Sequence, residues 1–193
     1  MSARGPVQRP GHRGPVQQAR APLHRPLEAA EREITHAALI LLDESPVSPS
    51  YDLSHLQEIH KRIFGDIYQW AGQIRTVAIA KRAMFCLPQY IDSSAAVIFR
   101  ELHDEDCLRG LHHDAFVERL AYYLGEVNAL HPFRDGNGRA QRAIFGQLAR
   151  DAGFTLAWQH LDPVRNVEAS AAIMRGDPEP MREMLDALVG DGT

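Results

Sequence analysis

Two stretches of helical periodicity, at about 114–129 and running on to about Arg150, are separated by a bend through which no single helix continues. It reads His131-Pro132-Phe133-Arg134-Asp135-Gly136-Asn137-Gly138-Arg139, followed by Ala140, Gln141 and Arg142. Pro132 disfavours helical backbone at His131 and ends the first helix there. Gly136 and Gly138 admit torsions that other residues avoid, so successive N–H groups can turn into one concavity. The second helix begins at that concavity and adds its unpaired first-turn amides and the positive end of its dipole. Such a bend is an anion site, and phosphate is its commonest guest. Arg139 and Arg142, three apart, are expected to share a face and reach one bound polyphosphate. Asp135, beside the concavity, suits a divalent cation bridging phosphate oxygens, with Mg²⁺ the usual choice. His131 stands where an imidazole could take a proton from an incoming hydroxyl. Base, cation ligand, anion nest and two guanidiniums within twelve residues make a phosphoryl- or nucleotidyl-transfer site.

The surrounding periodicity predicts an all-α bundle carrying one short β-hairpin. Leu27, Ala30, Ile34, Ala37 and Leu41 form a helical stripe that stops before Ser45-Pro46. A second helix is predicted from about Asp52 to Phe64 on Leu53, Leu56, Ile59 and Ile63. Between Ile74 and Leu87 the pattern changes to Ile74, Val77, Ile79, a polar turn, then Met84, Phe85 and Leu87, which reads as a hairpin. Helical spacing returns for about 89–103 and 114–129, and two shorter helices start near Pro163 and Pro180. With 45% hydrophobic and 24% charged residues the chain has an ordinary globular composition. No apolar run approaches the roughly 18 residues that a membrane span needs. Cys86 and Cys107 have no metal-ligand spacing and read as reduced thiols, which places the chain in the cytoplasm.

Charge is unevenly spread. Residues 1–27 hold five arginines and no acid, leaving −9 for the rest of a chain whose net charge is −4. Residues 1–26 also hold five prolines and repeat GPVQ, so they are expected to form a disordered basic arm, with 27–193 as the folded domain. The arm reads as a solvated extension, and nucleic acid is not the expected partner. His112-His113-Asp114 reads as a helix start rather than a metal site. His55 and His60, five apart, share a helix face poorly, and Trp70 and Trp158 read as packing aromatics.

The string HPFRDGNGRAQR resembles the signature of Fic-domain proteins, HPFx[D/E]GNGRxxR, at every fixed position. LQEIHKRIF (56–64) and FGDIYQWAGQIRT (64–76) resemble the stretch that precedes the flap in that family, and the similarity spans about residues 27–158. The resemblance implies transfer of AMP from ATP to a Ser, Thr or Tyr hydroxyl of a target protein, with release of pyrophosphate. In that reading His131 is the general base and Asp135 holds Mg²⁺. Gly136, Asn137 and Gly138 form the anion hole, Arg139 neutralises phosphate charge, and Arg142 meets the γ-phosphate. Phe133 anchors the loop in the core. The hairpin at 74–87 matches the flap that docks the target, with Ile74, Thr76, Val77, Lys81 and Phe85 as docking residues. Arg82 stands beside Lys81 at its tip.

Many Fic proteins carry a self-inhibitory helix with [S/T]xxxE[G/N]. Here Ser54 and Glu58 alone have that spacing, followed by Ile59 and set inside the second predicted helix. The chain therefore resembles the branch in which a small separate antitoxin supplies the helix, making it the toxin of a pair. The alternatives are a Fic-fold transferase of another phosphate-containing group and a catalytically silent binding module. Gly138, where the phosphorylating branch has lysine, argues against the first, and the intact His131, Asp135 and Arg142 argue against the second.

Overall fold

The computed structural model describes residues 24–81 and 84–192. The expected basic arm lies outside these residues as far as position 23, and the first helix already begins at His24 rather than Leu27. Seven α-helices form the described fold: α1 (His24–Glu44), α2 (Leu53–Phe64), α3 (Ile91–Asp104), α4 (His113–Leu130), α5 (Asn137–Asp151), α6 (Pro163–Ile173) and α7 (Glu179–Asp186). Local chemistry sets several ends. Asp52 caps α2 by accepting from the His55 amide at 2.8 Å, and Asp162 caps α6, whose first residue is Pro163.

Helices α2, α4 and α5 supply much of the core, including the fully buried Leu56, Phe116, Leu120, Val127, Ala140 and Leu148. Helix α5 packs on α2 and α4, α1 covers α2, and α3 lies on α4. Helices α6 and α7 pack on one another and on the far side of α4. Among the described residues no helix is long and apolar enough to cross a membrane, and both cysteines are free.

Two expectations need correction. The apolar stripe of α1 faces solvent: Ile34 is 41% and Leu41 64% exposed, while the neighbouring positions Thr35 and Leu42 are buried. Near-continuous apolar sequence from Ala37 to Leu42 leaves the helix phase ambiguous. Polar contacts settle it, because Glu31 and Thr35 turn inward to hold Arg139. The all-α bundle with a small hairpin is as expected, and the second correction concerns how much regular pairing the 74–87 segment carries. Among the described residues the flap's two arms meet through one isolated antiparallel bridge, Ala80 with Met84, and through a hydrogen bond from the Phe85 amide to the Ile79 carbonyl at 3.2 Å. Two of its amides pair outside the flap, Arg75 with the Pro132 carbonyl and Cys86 with the Ala129 carbonyl, both at 2.9 Å. The regular β-pairing lies instead between β1 (Phe154–Leu156) and β2 (Val189–Asp191), antiparallel, with Thr155 opposite Gly190.

Candidate active site

His131 ends α4 in the left-handed region (φ 45°, ψ 59°), its amide still bonded to the Val127 carbonyl at 3.1 Å. A non-glycine residue adopts that backbone at a cost of about 1–2 kcal/mol, and here it turns the imidazole out of the helix line. The ring stacks face to face on Phe85, centroids 3.8 Å apart and planes 7° apart. It is buried to 8% exposure, and its Nδ1 has no hydrogen-bond partner among the described residues. Burial is the largest cause pulling its pKa down to about 4, helped by the charges of Lys81 and Arg75 and opposed by the Asn128 backbone and Asp135. His131 is therefore neutral at pH 7, the form that accepts a proton.

The bend after it is braced from three sides. Phe133 is fully buried and stacks on His60 with centroids 3.9 Å apart. Asn137 grips the Phe133 backbone at both ends: its Oδ1 accepts from the Phe133 amide at 2.9 Å and its Nδ2 donates to the Phe133 carbonyl at 2.8 Å. His60 accepts from the Gly72 amide at Nδ1, which puts its proton on Nε2, and Nε2 donates to the Asp135 carbonyl at 2.9 Å. Gly136 then takes φ 78°, and a Cβ there would come within 2.4 Å of the Phe64 ring. Glycine is the residue that fits.

Helix α5 starts directly after Gly136, so the amides of Asn137 and Gly138 lie in its unpaired first turn. The Gly136 amide is taken by its neighbour, donating to Asp135 Oδ1 at 2.7 Å. Beside this terminus lies a cavity of about 310 Å³, bounded by His131, Phe85, Lys81, Gly138 and Arg142 and closed by α6. Arg142 is half-buried, and no carboxylate pairs with it among the described residues. Burial and the nearby Arg139 charge both lower its pKa without approaching neutrality. A half-buried cation, a helix N-terminus and a neutral imidazole thus border one cavity.

The pattern of the Fic/DOC family matches residues 50–149, which contain this whole arrangement apart from the α6 wall. The chain belongs to the Fic/DOC family. It is 39% identical over 160 residues to the protein adenylyltransferase VbhT of Bartonella schoenbuchensis, covering 82% of this chain but 34% of that protein. It is 40% identical over 140 residues to a probable protein adenylyltransferase Fic of Salmonella typhimurium, covering 72% and 70% of the two chains. The fold resembles BepC of Bartonella tribocorum, solved with AMPPNP bound, at a TM-score of 0.80 and 23% identity over 87% of this chain and 88% of that one.

The Fic loop gathers His131, Gly138 and Arg142 around the cavity, which Arg139 does not line. Arg139 turns toward α1, bonding Glu31 at 2.7 Å and Thr35 at 3.1 Å, with its guanidinium over the Phe64 ring at 4.5 Å. It borders a second groove, of about 420 Å³, between α1 and α5, which Arg142 also reaches. The two arginines therefore share the α1–α5 groove, while Arg142 also borders the cavity beside His131. The Asn137 side chain is taken up by the Phe133 backbone, which leaves its own amide in the first turn of α5.

The flap residues divide in the same way. Thr76 and Val77 are exposed and Lys81 borders the cavity. Ile74 packs against the core and Phe85 is buried under the imidazole, so neither offers a docking face. Arg82 lies outside the described residues. Sequence reasoning also missed Glu31, His60 and Arg75. Of these, His60 alone left a signal, a histidine on the buried face of an amphipathic helix. In the His112-His113-Asp114 run, His112 caps α4 by accepting from the Ala115 amide.

Proposed function

We propose that this chain is a protein adenylyltransferase, moving AMP from ATP to a hydroxyl side chain of a target protein. The observation that carries the reading is the shared border of His131, the α5 N-terminus and Arg142, which has no carboxylate partner among the described residues, on one cavity. The chain spans about a third of VbhT, so activity is inferred for this domain from its own residues.

In this reading the phosphate chain of ATP lies across the Asn137 and Gly138 amides toward Arg142, and the nucleoside enters between the loop and α6. Neutral His131 takes the proton of the target hydroxyl as its oxygen attacks the α-phosphorus. The bond from that phosphorus to the bridging oxygen breaks, and the electron pair leaves on pyrophosphate. Charge grows on the leaving group, where a fixed cation and helix-terminal amides act most strongly. The nucleotide's own charge raises the imidazole's basicity from its low resting value.

Asp135 fits a Mg²⁺ ion carried mainly by phosphate and water: it is a single exposed carboxylate at the loop mouth, with one oxygen engaged by Gly136. A hard cation held by one carboxylate and substrate phosphates is an ordinary arrangement for Mg²⁺, and when bound it would offset phosphate charge.

The partner proposed for regulation is a small antitoxin, with this chain as the toxin. Glu58, the one glutamate with inhibitory spacing, lies within α2 and pairs on that helix with Arg62. The α1–α5 groove, bordered by Arg139, Arg142, Arg150 and the exposed Ile40, suits an acidic amphipathic helix brought by another chain.

The test is incubation of the chain with Mg²⁺, a bacterial lysate and ATP labelled at either the α- or the γ-phosphate. Transfer of α label alone is expected, whereas γ label alone would mean a kinase and neither label a binding module. His131→Ala should abolish transfer with ATP binding largely intact. Arg142→Ala should weaken ATP binding, and an unaltered ATP dependence would reject its role.

A further inference from the structure

Arg75 is 1% exposed and heads the largest fully buried side chains, yet no carboxylate pairs with it among the described residues. A guanidinium cannot shed its charge, so its burial requires acceptors around the fork. Here the acceptors are backbone carbonyls. Nε donates to the His131 carbonyl at 2.7 Å and Nη1 to that of Val77 at 2.7 Å. Nη2 donates to the Cys86 carbonyl and, at 3.4 Å, to that of Leu130. The Arg75 amide adds the bond to Pro132.

These partners belong to two structures. Val77 and Cys86 stand on opposite arms of the flap, while Leu130, His131 and Pro132 carry α4 into the Fic loop. A single side chain closes the flap in place of a β-ladder and fastens it to the loop. Two consequences reach the reacting group. The His131 backbone is left-handed, a state that non-glycine residues keep only where their surroundings over-determine it, and the Nε bond holds its carbonyl. Phe85, which stacks on the imidazole, adjoins Cys86, whose carbonyl Arg75 also holds.

We infer that Arg75 is a positioning residue for the transfer reaction, locking flap to loop so that the His131 backbone and the Phe85 ring jointly aim the imidazole. It acts through His131 and touches neither nucleotide nor target. The inference rests on the reading of His131 as the base. Lysine keeps the charge but offers a point donor instead of a planar fork, so it cannot hold carbonyls on three sides.

The experiment compares the wild-type chain with Arg75→Lys and Arg75→Met. For each, the folded fraction, ATP affinity by calorimetry, α-label transfer into lysate protein per folded molecule, and amide exchange by NMR are measured. Arg75→Lys is expected to lose tenfold or more in transfer at saturating ATP, with ATP Kd within about threefold of wild type. The Cys86 amide should exchange at least tenfold faster while interior amides of α2 keep their protection. Transfer per folded molecule within twofold of wild type would overturn the inference, as would loss of ATP affinity in step with transfer or exchange rising uniformly. If the wild type transfers no α label, the adenylyl-transfer reading fails by itself, and unchanged Cys86 exchange then rejects the lock separately. If neither variant folds, the wild type decides: the Arg75 and Cys86 amides must open at one common rate, and independent rates reject the lock.

Discussion

Glu31 on α1 and Arg139 on α5 meet at 2.7 Å, and the pairing draws the first motif arginine away from the cavity that Arg142 enters. Both side chains are largely buried, at 21% and 24% exposure. The other Glu31 oxygen accepts from the Tyr68 hydroxyl at 2.7 Å. That bond is the largest influence on Glu31; it and Arg139 lower the carboxyl pKa against the opposing effect of burial. A lowered carboxyl pKa stabilises the fold above the unfolded value, and the contribution is lost as pH falls through the folded one.

A double-mutant cycle tests the pairing. Glu31→Gln and Arg139→Gln should each cost about 1–3 kcal/mol in denaturant unfolding, because each strands a partly buried partner. Together they should cost less than the sum, with a coupling of about 1 kcal/mol. ATP affinity of Glu31→Gln should stay within threefold. Additive losses, or much tighter ATP binding once Arg139 is released, would show that the pair is not a strut.

The depressed pKa of His131 makes a directional claim. With a folded value of about 4 against roughly 6.5 unfolded, its contribution to stability is complete above 6.5 and erodes as pH falls toward 4. In the free protein the imidazole should titrate near 4 by histidine NMR. Lys81→Gln should move that midpoint upward, since it removes the largest charge effect opposing protonation. A wild-type midpoint near 6.5 would contradict the burial seen here.

The two loop glycines should fail in different ways. At Gly136 a methyl group meets the Phe64 ring at 2.4 Å on a left-handed backbone. Gly136→Ala should therefore lose about 3 kcal/mol, the combined scale of overpacking and left-handed strain. In a domain of this size that lowers Tm by roughly 10 °C. At Gly138 the methyl meets only the flexible Arg142 Nη1, at 3.3 Å. Gly138→Ala should hold its Tm within about 3 °C, a change below 1 kcal/mol, yet bind ATP several-fold more weakly. Equal Tm losses would refute the distinction.

The helices and the loop were legible in the sequence because their signals are local. Pro132, Gly136 and the periodicity on either side place the end of α4 and the start of α5 to within a residue or two. The phase of α1 was not legible, since Ile34 and Leu41 make as good a stripe as Thr35 and Leu42, and the choice depends on Arg139, more than a hundred positions away. The flap misled for a related reason. Alternating apolar residues predicted strand pairing, but Arg75 and the end of α4 absorb the backbone groups that a ladder would use. The β1–β2 pair joins two three-residue segments that carry no periodicity to read. The motif residues lie in one local string that can be read directly, whereas Glu31, His60 and Arg75 act through contacts that spacing does not encode.

Asn137 separates a ligand from a brace. If its side chain faced the phosphates, Asn137→Asp would chiefly weaken ATP binding through charge repulsion. In this structure the amide group instead spans the Phe133 N–H and carbonyl, at 2.9 and 2.8 Å, inside a buried site. Aspartate keeps the acceptor, loses the donor and sets a carboxylate oxygen against the Phe133 carbonyl. Leaving that buried carbonyl unpaired costs about 1–3 kcal/mol, and repulsion adds to it, although a carboxylate near a helix N-terminus regains up to about 1 kcal/mol. Asn137→Asp should thus unfold at a Tm lower by roughly 4–8 °C, taking about 2 kcal/mol as the net loss. Asn137→Ser, which can grip only one end, should fall between the two. A wild-type Tm combined with weak ATP binding would return Asn137 to the anion hole.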